Sequence, residues 1–228
     1  MRVKKAIAGV TAAAAALAGG VALAAPAQAA PSSLAEVLGV DVESGTGGFD
    51  RNRYDFDILR EAAEAVLSAK PDSPVGLLAD GTAALTAFIP NDRAFQVLEW
   101  SLTGSWERKE AKVFTGIVAA AGTLGDPIDV IEEILLYHVL GGAAVESSTV
   151  LGLKGSPKAD RTFEMANGGD ITLRVFSSNP RFPIVSIKDQ DPNAVNPFLV
   201  RSKLDIKAGE QIAHGISFVL RPLDLPRG

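Results

Sequence analysis

Two stretches of the sequence decide the fold: TAFIPNDRAF at residues 86–95 and ILLYHV at residues 134–139. In the first stretch, an apolar strand-like run ends at Pro90, and Asn91 stands where the next helix needs an N-cap. The second stretch reads as the apolar end of another helix and carries an aromatic–histidine pair. The two stretches therefore predict a strand that leads into one helix, followed later by the end of a second helix.

Apolar residues at helical spacing predict further helices in the first half of the chain. One should begin near Tyr54, with Asp55 or Asp57 as its N-cap, and end at Lys70. Others are predicted after Asn91, over residues 106–121 with Ser105 as N-cap, and from Asp126-Pro127 to the glycines at 141 and 142.

The pattern changes after Gly142, where short alternating runs replace helical spacing. The predicted strands are residues 85–89, 162–165, 171–175, 184–187, 198–200 and 216–220. Because the helices gather in the first half and the strands in the second, the sequence predicts an α+β fold, with the helices packed on short strands.

The N-terminus predicts secretion. Basic residues precede an apolar run over residues 6–25, and Ala27-Gln28-Ala29 supplies an A-x-A cleavage site. We expect residues 1–29 to be a signal peptide, residues 30–53 an arm and residues 54–228 one domain. A retained membrane anchor is the alternative, since the apolar run is nearly long enough to span a bilayer.

Charge and cysteine content narrow the possible partners. The chain has no cysteine, so it has no disulfide, and its net charge is −5. Removal of the signal peptide would leave 19 basic against 27 acidic residues, and the basic residues show no cluster along the sequence. The sequence therefore predicts no nucleic-acid partner, and no membrane contact after signal removal.

The two stretches resemble the signature blocks of the fasciclin-like domain, an extracellular adhesion module. The first block is matched at Thr86, Phe88, Pro90, Ala94 and Phe95, and the second at Leu135, Tyr137, His138 and Val139. The resemblance runs from about residue 54 to residue 226. The closing stretch from His214 to Leu220 looks like the last strand of the family, although His214 replaces the usual asparagine of an expected turn.

The resemblance implies a secreted, non-enzymatic binding or adhesion module, with an extracellular protein or cell-envelope component as partner and no cofactor. In animal members, an Asp-Ile pair and the Tyr-His region are linked with integrin binding. Here the matching positions are Asp205-Ile206 and Tyr137-His138. The alternative that we favour makes Ile206 a core strand residue and Asp205 a solvated one.

No pattern for catalysis or metal binding is present. We expect no catalytic residue and no metal ligand, since only His138 and His214 are available and no nucleophile motif occurs. His138 should be buried with backbone partners, and the Tyr137 hydroxyl should reach a polar group. Two oxygen-rich stretches, residues 50–57 and 189–193, lack the calcium-loop pattern and are better explained as caps and turns.

Binding is expected on exposed loops, above all residues 182–197, where Asp189 and Asp191 would offer an acidic surface. Two other functions stay open. One is a carrier of an apolar small molecule, which needs a sizeable apolar pocket. The other is an extracellular hydrolase, which no sequence motif supports.

Overall fold

The structure is a computed structural model that describes residues 32–40 and 48–225. The described helices are α1 (Leu34–Leu38), α2 (Asp57–Ala69), α3 (Asp92–Thr103), α4 (Glu110–Ala121), α5 (Pro127–Leu136) and α6 (Ser147–Gly152). The described strands are β1 (Leu85–Pro90), β2 (Val139–Gly141), β3 (Thr162–Glu164), β4 (Asp170–Ser177), β5 (Ile184–Lys188), β6 (Ile206–Ala208) and β7 (Gln211–Ile216). The predicted signal peptide and its cleavage site lie outside the described residues.

The strands form two sheets. The first has the order β2-β1-β7-β6; β1 runs parallel to β7, and the other pairs are antiparallel. The second is an antiparallel sheet with the order β3-β4-β5. Single bridges from Ser186 to Phe198 and from Leu199 to Ile216 connect the second sheet to the first. The segment around residue 198 thus joins the two sheets.

Two apolar clusters make the core. The larger one lies among α1 to α5 and the first sheet, and the smaller one is made of the inner faces of β4 and β5 with Phe88, Tyr137 and Ile216. Alternation along β4 places Ile171, Leu173 and Val175 in this smaller cluster. The residues that follow α5 therefore lie where the two clusters meet.

The α+β class is confirmed, as are two of the predicted caps. The Asn91 side chain accepts a hydrogen bond from the Ala94 amide at 3.0 Å, and Asp126 accepts one from the Ile128 amide at 2.9 Å. Each cap satisfies an amide that the first turn of a helix leaves without an internal partner.

Other element ends differ from the predictions. Neither Asp55 nor Asp57 caps α2; its first amides donate to the carboxylate of Asp92 instead, at 2.8 Å for Ile58. Helix α4 begins at Glu110 without a side-chain cap, so Ser105 does not start it. A distant residue can cap a helix in place of its sequence neighbours, and no local pattern shows this.

The last strand is also shifted. It covers Gln211–Ile216 and not residues 216–220, because β7 pairs along its whole length with β1. His214 is therefore a buried strand residue, and the turn expected at this position is absent from the described backbone there. The short strands β2 and β6 were not predicted, because neither contains a run of alternating apolar and polar residues long enough to indicate a strand.

The described part of the predicted arm packs on the domain. Leu34 and Leu38 are buried in the larger cluster, and the Leu34 amide donates to the Gln211 side chain at 2.7 Å. The domain boundaries themselves stay predictions. Across residues 32–40 and 48–225, no helix has both the length and the apolar composition to span a bilayer.

Candidate functional site

His138 is a buried, neutral residue whose two ring nitrogens both bind the backbone. Nδ1 lies 2.7 Å from the Ile134 carbonyl oxygen and donates to it, since Nε2 accepts a hydrogen bond from the Leu220 amide at 2.9 Å. Burial lowers the pKa of His138 to about 4, although the bond to Ile134 opposes this shift. The predicted backbone partners are confirmed, and no ring nitrogen is left for proton transfer.

Tyr137 faces the smaller core cluster and is fully buried. Its hydroxyl donates to the Asp170 carbonyl oxygen at 2.7 Å, as the sequence predicts. Burial raises the pKa of the phenol, and the nearby Asp189 carboxylate raises it further. The Tyr137-His138 pair therefore fixes α5 to the second sheet and to the segment at Leu220 and offers no surface to a partner.

The Asp205-Ile206 pair lies at the start of β6. Ile206 is half-buried against the larger cluster, as expected, but Asp205 is not merely solvated. Its carboxylate accepts hydrogen bonds from the amide and hydroxyl of Ser147, at 2.7 and 2.5 Å. Burial acts to raise the pKa of Asp205, but the two Ser147 bonds outweigh it and the pKa lies below its ordinary value. Asp205 thus fixes the start of α6.

Asp205 also contacts the second histidine. Its amide donates to Nδ1 of His214 at 3.2 Å, and Nε2 of His214 lies 2.8 Å from the Val145 carbonyl oxygen, to which it donates. His214 is fully buried, and burial lowers its pKa. Asp205 has a backbone φ of 53°, in the left-handed region that aspartate tolerates better than most residues. Both histidines of the chain are therefore held by backbone groups.

Asp189 and Asp191 are buried, which corrects the prediction of an exposed acidic loop. Asp191 accepts a hydrogen bond from the Arg221 guanidinium at 3.2 Å, and Asp189 accepts one from the Arg221 amide at 3.1 Å. Burial raises the pKa of Asp189 to about 6, although the bond from the Arg221 amide opposes this shift, and one carboxylate oxygen of Asp189 has no partner. We call Asp189, Asp191 and Arg221 the Arg221 cluster. The Arg221 cluster could not be predicted from the sequence, because Arg221 is 30 residues away from Asp191.

Arg221 also lines an open cleft of about 660 Å³. Its guanidinium donates to the Ser101 hydroxyl at 2.7 Å, and this hydroxyl donates to the Leu98 carbonyl oxygen. The walls come from α3, the loop after Asp191 and the segment after β7. The main lining side chains are Val97, Trp100, Ser101, Val195, Phe218 and Arg221. Because the polar groups on this wall bind one another, the cleft offers mainly apolar contact to a ligand.

Exposed aromatic and aliphatic groups mark the rim of the cleft. Trp100 is 50% exposed and Val195 is 68% exposed. The Trp100 ring contacts Trp106 at 6.3 Å between centroids, and the Arg93 guanidinium lies 4.5 Å above the Trp106 ring. No sequence motif predicts this rim. The only available signal was that Trp100 falls opposite the inward stripe of α3.

A second group of carboxylates surrounds the start of α2. We call Asp50, Asp55, Asp57, Asp92 and Glu110 the α2 cluster; within it, carboxylate oxygens of Asp57, Asp92 and Glu110 lie within 4.8 Å of one another. Arg60 is paired with Asp57 at 2.7 Å. Burial raises the pKa of Asp92 far above its ordinary value, and so does the neighbouring Asp55 carboxyl. Asp50 accepts a hydrogen bond from the Asn52 amide, as expected for a turn, but the expected caps Asp55 and Asp57 are replaced by Asp92.

Comparison with solved structures gives a match, with probability 1.00, to a FAS1 domain pair from the insect cell adhesion molecule fasciclin I. The sequence identity is 16% and the TM-score is 0.46; the match covers 74% of this chain and 46% of the other. The chain thus spans about half the length of that structure. No protein-family description and no curated protein matches the chain.

Proposed function

We propose that the protein is a secreted, non-enzymatic binding module that receives an apolar group of an extracellular protein or cell-envelope component in the cleft beside α3. The observation that carries this proposal is the cleft itself, with its exposed Trp100 and Val195. Large apolar side chains at this exposure on one concave surface are typical of binding sites. Secretion rests on the predicted signal peptide, and an adhesion role is in keeping with the similarity to the FAS1 domain pair.

The histidines support a non-enzymatic role. His138 and His214 use their ring nitrogens for backbone groups, and burial keeps both neutral. A general base needs a free ring nitrogen within hydrogen-bond reach of a substrate. Neither histidine lines the cleft.

The protein purified from culture supernatant tests the proposal by its binding to cell-wall and host-surface fractions. Trp100→Ala and Val195→Ser should each weaken binding, with the tryptophan costing about tenfold or more because aromatic anchors dominate interfaces. Leu77→Ala is the matched control, since Leu77 is 46% exposed outside the cleft. Equal binding by all three variants and the unmodified protein would place the contact elsewhere.

A carrier of an apolar small molecule is the second candidate. The same cleft favours it, because about 660 Å³ lies in the range that small ligands occupy and its lining is mainly apolar. The difference lies in what enters the cleft: a free molecule or a group attached to a partner.

Two measurements separate the candidates. A carrier should bind the neutral dye Nile red in the cleft, lose that binding in Trp100→Ala, and release a ligand on organic extraction. A module that binds only attached groups should yield no extractable ligand while retaining its binding to surface fractions.

A further inference from the structure

The outer face of the second sheet carries exposed apolar side chains near the turn between β4 and β5. Arg174 pairs with Ser186, and Ser186 pairs with Phe198, so these three side chains lie in one row on the face away from the core. Ile184 is two residues from Ser186 and shares its face. A bulge between Val175 and Ser177 leaves Phe176 exposed at the same end.

Four apolar side chains here are unusually open to solvent. Phe182 is 65% exposed, Phe176 59%, Ile184 48% and Phe198 40%. Scattered exposed apolar residues are common on soluble proteins, but several at one end of one sheet mark an interaction surface. Phe182 lies in the turn between the two strands, so this group projects outward from the sheet and lines no pocket described above.

The exposed charged side chains at the turn end of β4 and β5 are basic. Arg174, Arg181 and Arg201 are exposed, and the sequence from 171 to 187 contains no aspartate or glutamate, whereas Lys188 pairs with Thr172 at the other end of the sheet. The Arg201 guanidinium lies 5.5 Å above the Phe182 ring. None of these three cations forms a salt bridge within the described part of the chain. A basic surface of this kind stands out on a chain whose net charge is −5.

The acidic side chains of the sheet lie at its other end. Glu164 pairs with Asp170, which is six residues before Phe176 along β4. At the rise of a β-strand, this separation is roughly 20 Å. Such a distance exceeds the screening length of about 8 Å at physiological salt, so these carboxylates barely weaken the field at the turn.

We propose that these four apolar side chains and the three basic ones, Arg174, Arg181 and Arg201, together the hairpin face, dock on an anionic lipid bilayer. Basic residues near an anionic membrane attract it, and aromatic and aliphatic side chains enter the interfacial region between headgroups and acyl chains. A bilayer fits a projecting turn, because lipids rearrange around it, whereas a protein partner would need a pocket for Phe182.

This proposal differs from the sequence-based expectation of no membrane contact, which stays a prediction. That expectation rested on the net charge and on the spacing of basic residues along the chain. Folding places Arg174 on the same face of the sheet as Ile184 and places Arg201 against the turn. Local charge, and not the average over the chain, decides attraction to a surface within the screening length.

Vesicle sedimentation tests the proposal with the full secreted protein. Vesicles of phosphatidylcholine mixed with phosphatidylglycerol should bind the protein, those of phosphatidylcholine alone should bind it weakly, and added salt should release it. The double variant Arg174→Gln with Arg181→Gln should lower the partition coefficient by roughly 25-fold, since each basic residue near the membrane contributes about fivefold. The double variant Phe176→Ser with Phe182→Ser should lower it by about tenfold or more.

Arg108→Gln and Leu77→Ser are the matched controls, because both residues are exposed outside the hairpin face. Both should bind as the unmodified protein does, and all variants should keep its melting temperature. Failure of the unmodified protein to bind the mixed vesicles overturns the proposal. So does unchanged binding by the phenylalanine variant, which would indicate a purely electrostatic contact such as an acidic protein makes. Neither outcome bears on the cleft.

Discussion

The α2 cluster and the Arg221 cluster look alike in the sequence and differ in the folded protein. Each begins from an oxygen-rich stretch, residues 50–57 in one and residues 189–193 in the other, and each becomes partly buried. In the Arg221 cluster, a guanidinium from a distant segment balances the charge of Asp191. In the α2 cluster, two further carboxyls, Asp92 and Glu110, add to the excess of negative charge, with Arg60 as the cation paired to Asp57.

The difference shows that the distant residue decides how a buried carboxylate is tolerated. Where a cation arrives, the ion pair must be kept intact, because loss of the cation leaves a buried carboxylate without its counter-charge. Where more acid arrives, burial and the neighbouring carboxyl raise the pKa of Asp92 and favour its neutral, hydrogen-bonding form. The two clusters should therefore respond in opposite ways when charge is removed.

Loss of the cation in the Arg221 cluster should have the largest effect. Arg221→Met would remove the cation beside Asp191, whose side chain is 1% exposed, and leave, among the described residues, only the amides of Asn193 and Ala194 as its hydrogen-bond donors. We expect the free energy of unfolding in urea to fall by about 3–5 kcal/mol. The double variant Arg221→Met with Asp191→Asn should recover part of that loss, since it removes the orphan charge. A loss below about 1 kcal/mol in the single variant would mean that Arg221 does not balance this charge.

Two substitutions of Asp92 in the α2 cluster should separate the effect of losing a hydrogen-bond acceptor from the effect of losing a charge. Asp92→Ala removes the acceptor for the first two amides of α2 and should lower the free energy of unfolding by about 2–3 kcal/mol. Asp92→Asn keeps an acceptor oxygen and resembles the protonated acid, so at pH 7 it should change stability by less than about 0.5 kcal/mol. Urea unfolding of both variants checks this. A large loss in Asp92→Asn would show that Asp92 is ionised.

Within the Arg221 cluster, Asp189 should behave differently from Asp191. Its folded-state pKa of about 6 exceeds the ordinary 3.8, so the folded protein binds a proton that the unfolded chain releases between these values. Its contribution to stability therefore falls as pH rises through this window. Asp189→Asn should raise the free energy of unfolding by about 1–2 kcal/mol at pH 8 and change it little at pH 4. If Asp189→Asn instead lowers the free energy of unfolding at pH 8, as we expect for Asp191→Asn, then Asp189 and Asp191 contribute to stability in the same way.

The sequence predicted features that depend on neighbours along the chain. The strand at residues 85–89, the caps Asn91 and Asp126, and the buried His138 each follow from local spacing and are confirmed. The Tyr137 hydroxyl bond is also confirmed, since a buried phenol must find an acceptor.

The sequence could not supply contacts between distant residues. Asp92 as the cap of α2, Arg221 as the partner of Asp191 and Ser147 as the partner of Asp205 lie 30 or more residues from the groups that they bind. The cleft was missed for the same reason, because its walls come from α3, the loop at Val195 and the segment at Phe218. The hairpin face was not predicted either, because its basic residues do not form a cluster along the sequence.

The smallest expected effect concerns Glu110, which is 2% exposed in the α2 cluster. Burial raises its pKa, although the Asp50 amide donates to its carboxylate at 3.0 Å and opposes this shift. Glu110→Gln keeps an acceptor oxygen and removes a charge from a group of carboxyls. Because the ionised form is disfavoured in the fold, stability should rise by about 0.5 kcal/mol at pH 8, and the gain should shrink as pH falls toward 4.

Glu107→Gln is the matched control for Glu110→Gln. The Glu107 carboxylate accepts hydrogen bonds from the amides of Arg108 and Lys109, which lower its pKa, so its ionised form is favoured in the fold. Its replacement should therefore lower stability slightly at pH 8, opposite in sign to Glu110→Gln. Urea unfolding of both variants at pH 8 and pH 4 measures the pair. If the two variants shift stability in the same direction at pH 8, then excess negative charge does not set the α2 cluster apart from the Arg221 cluster.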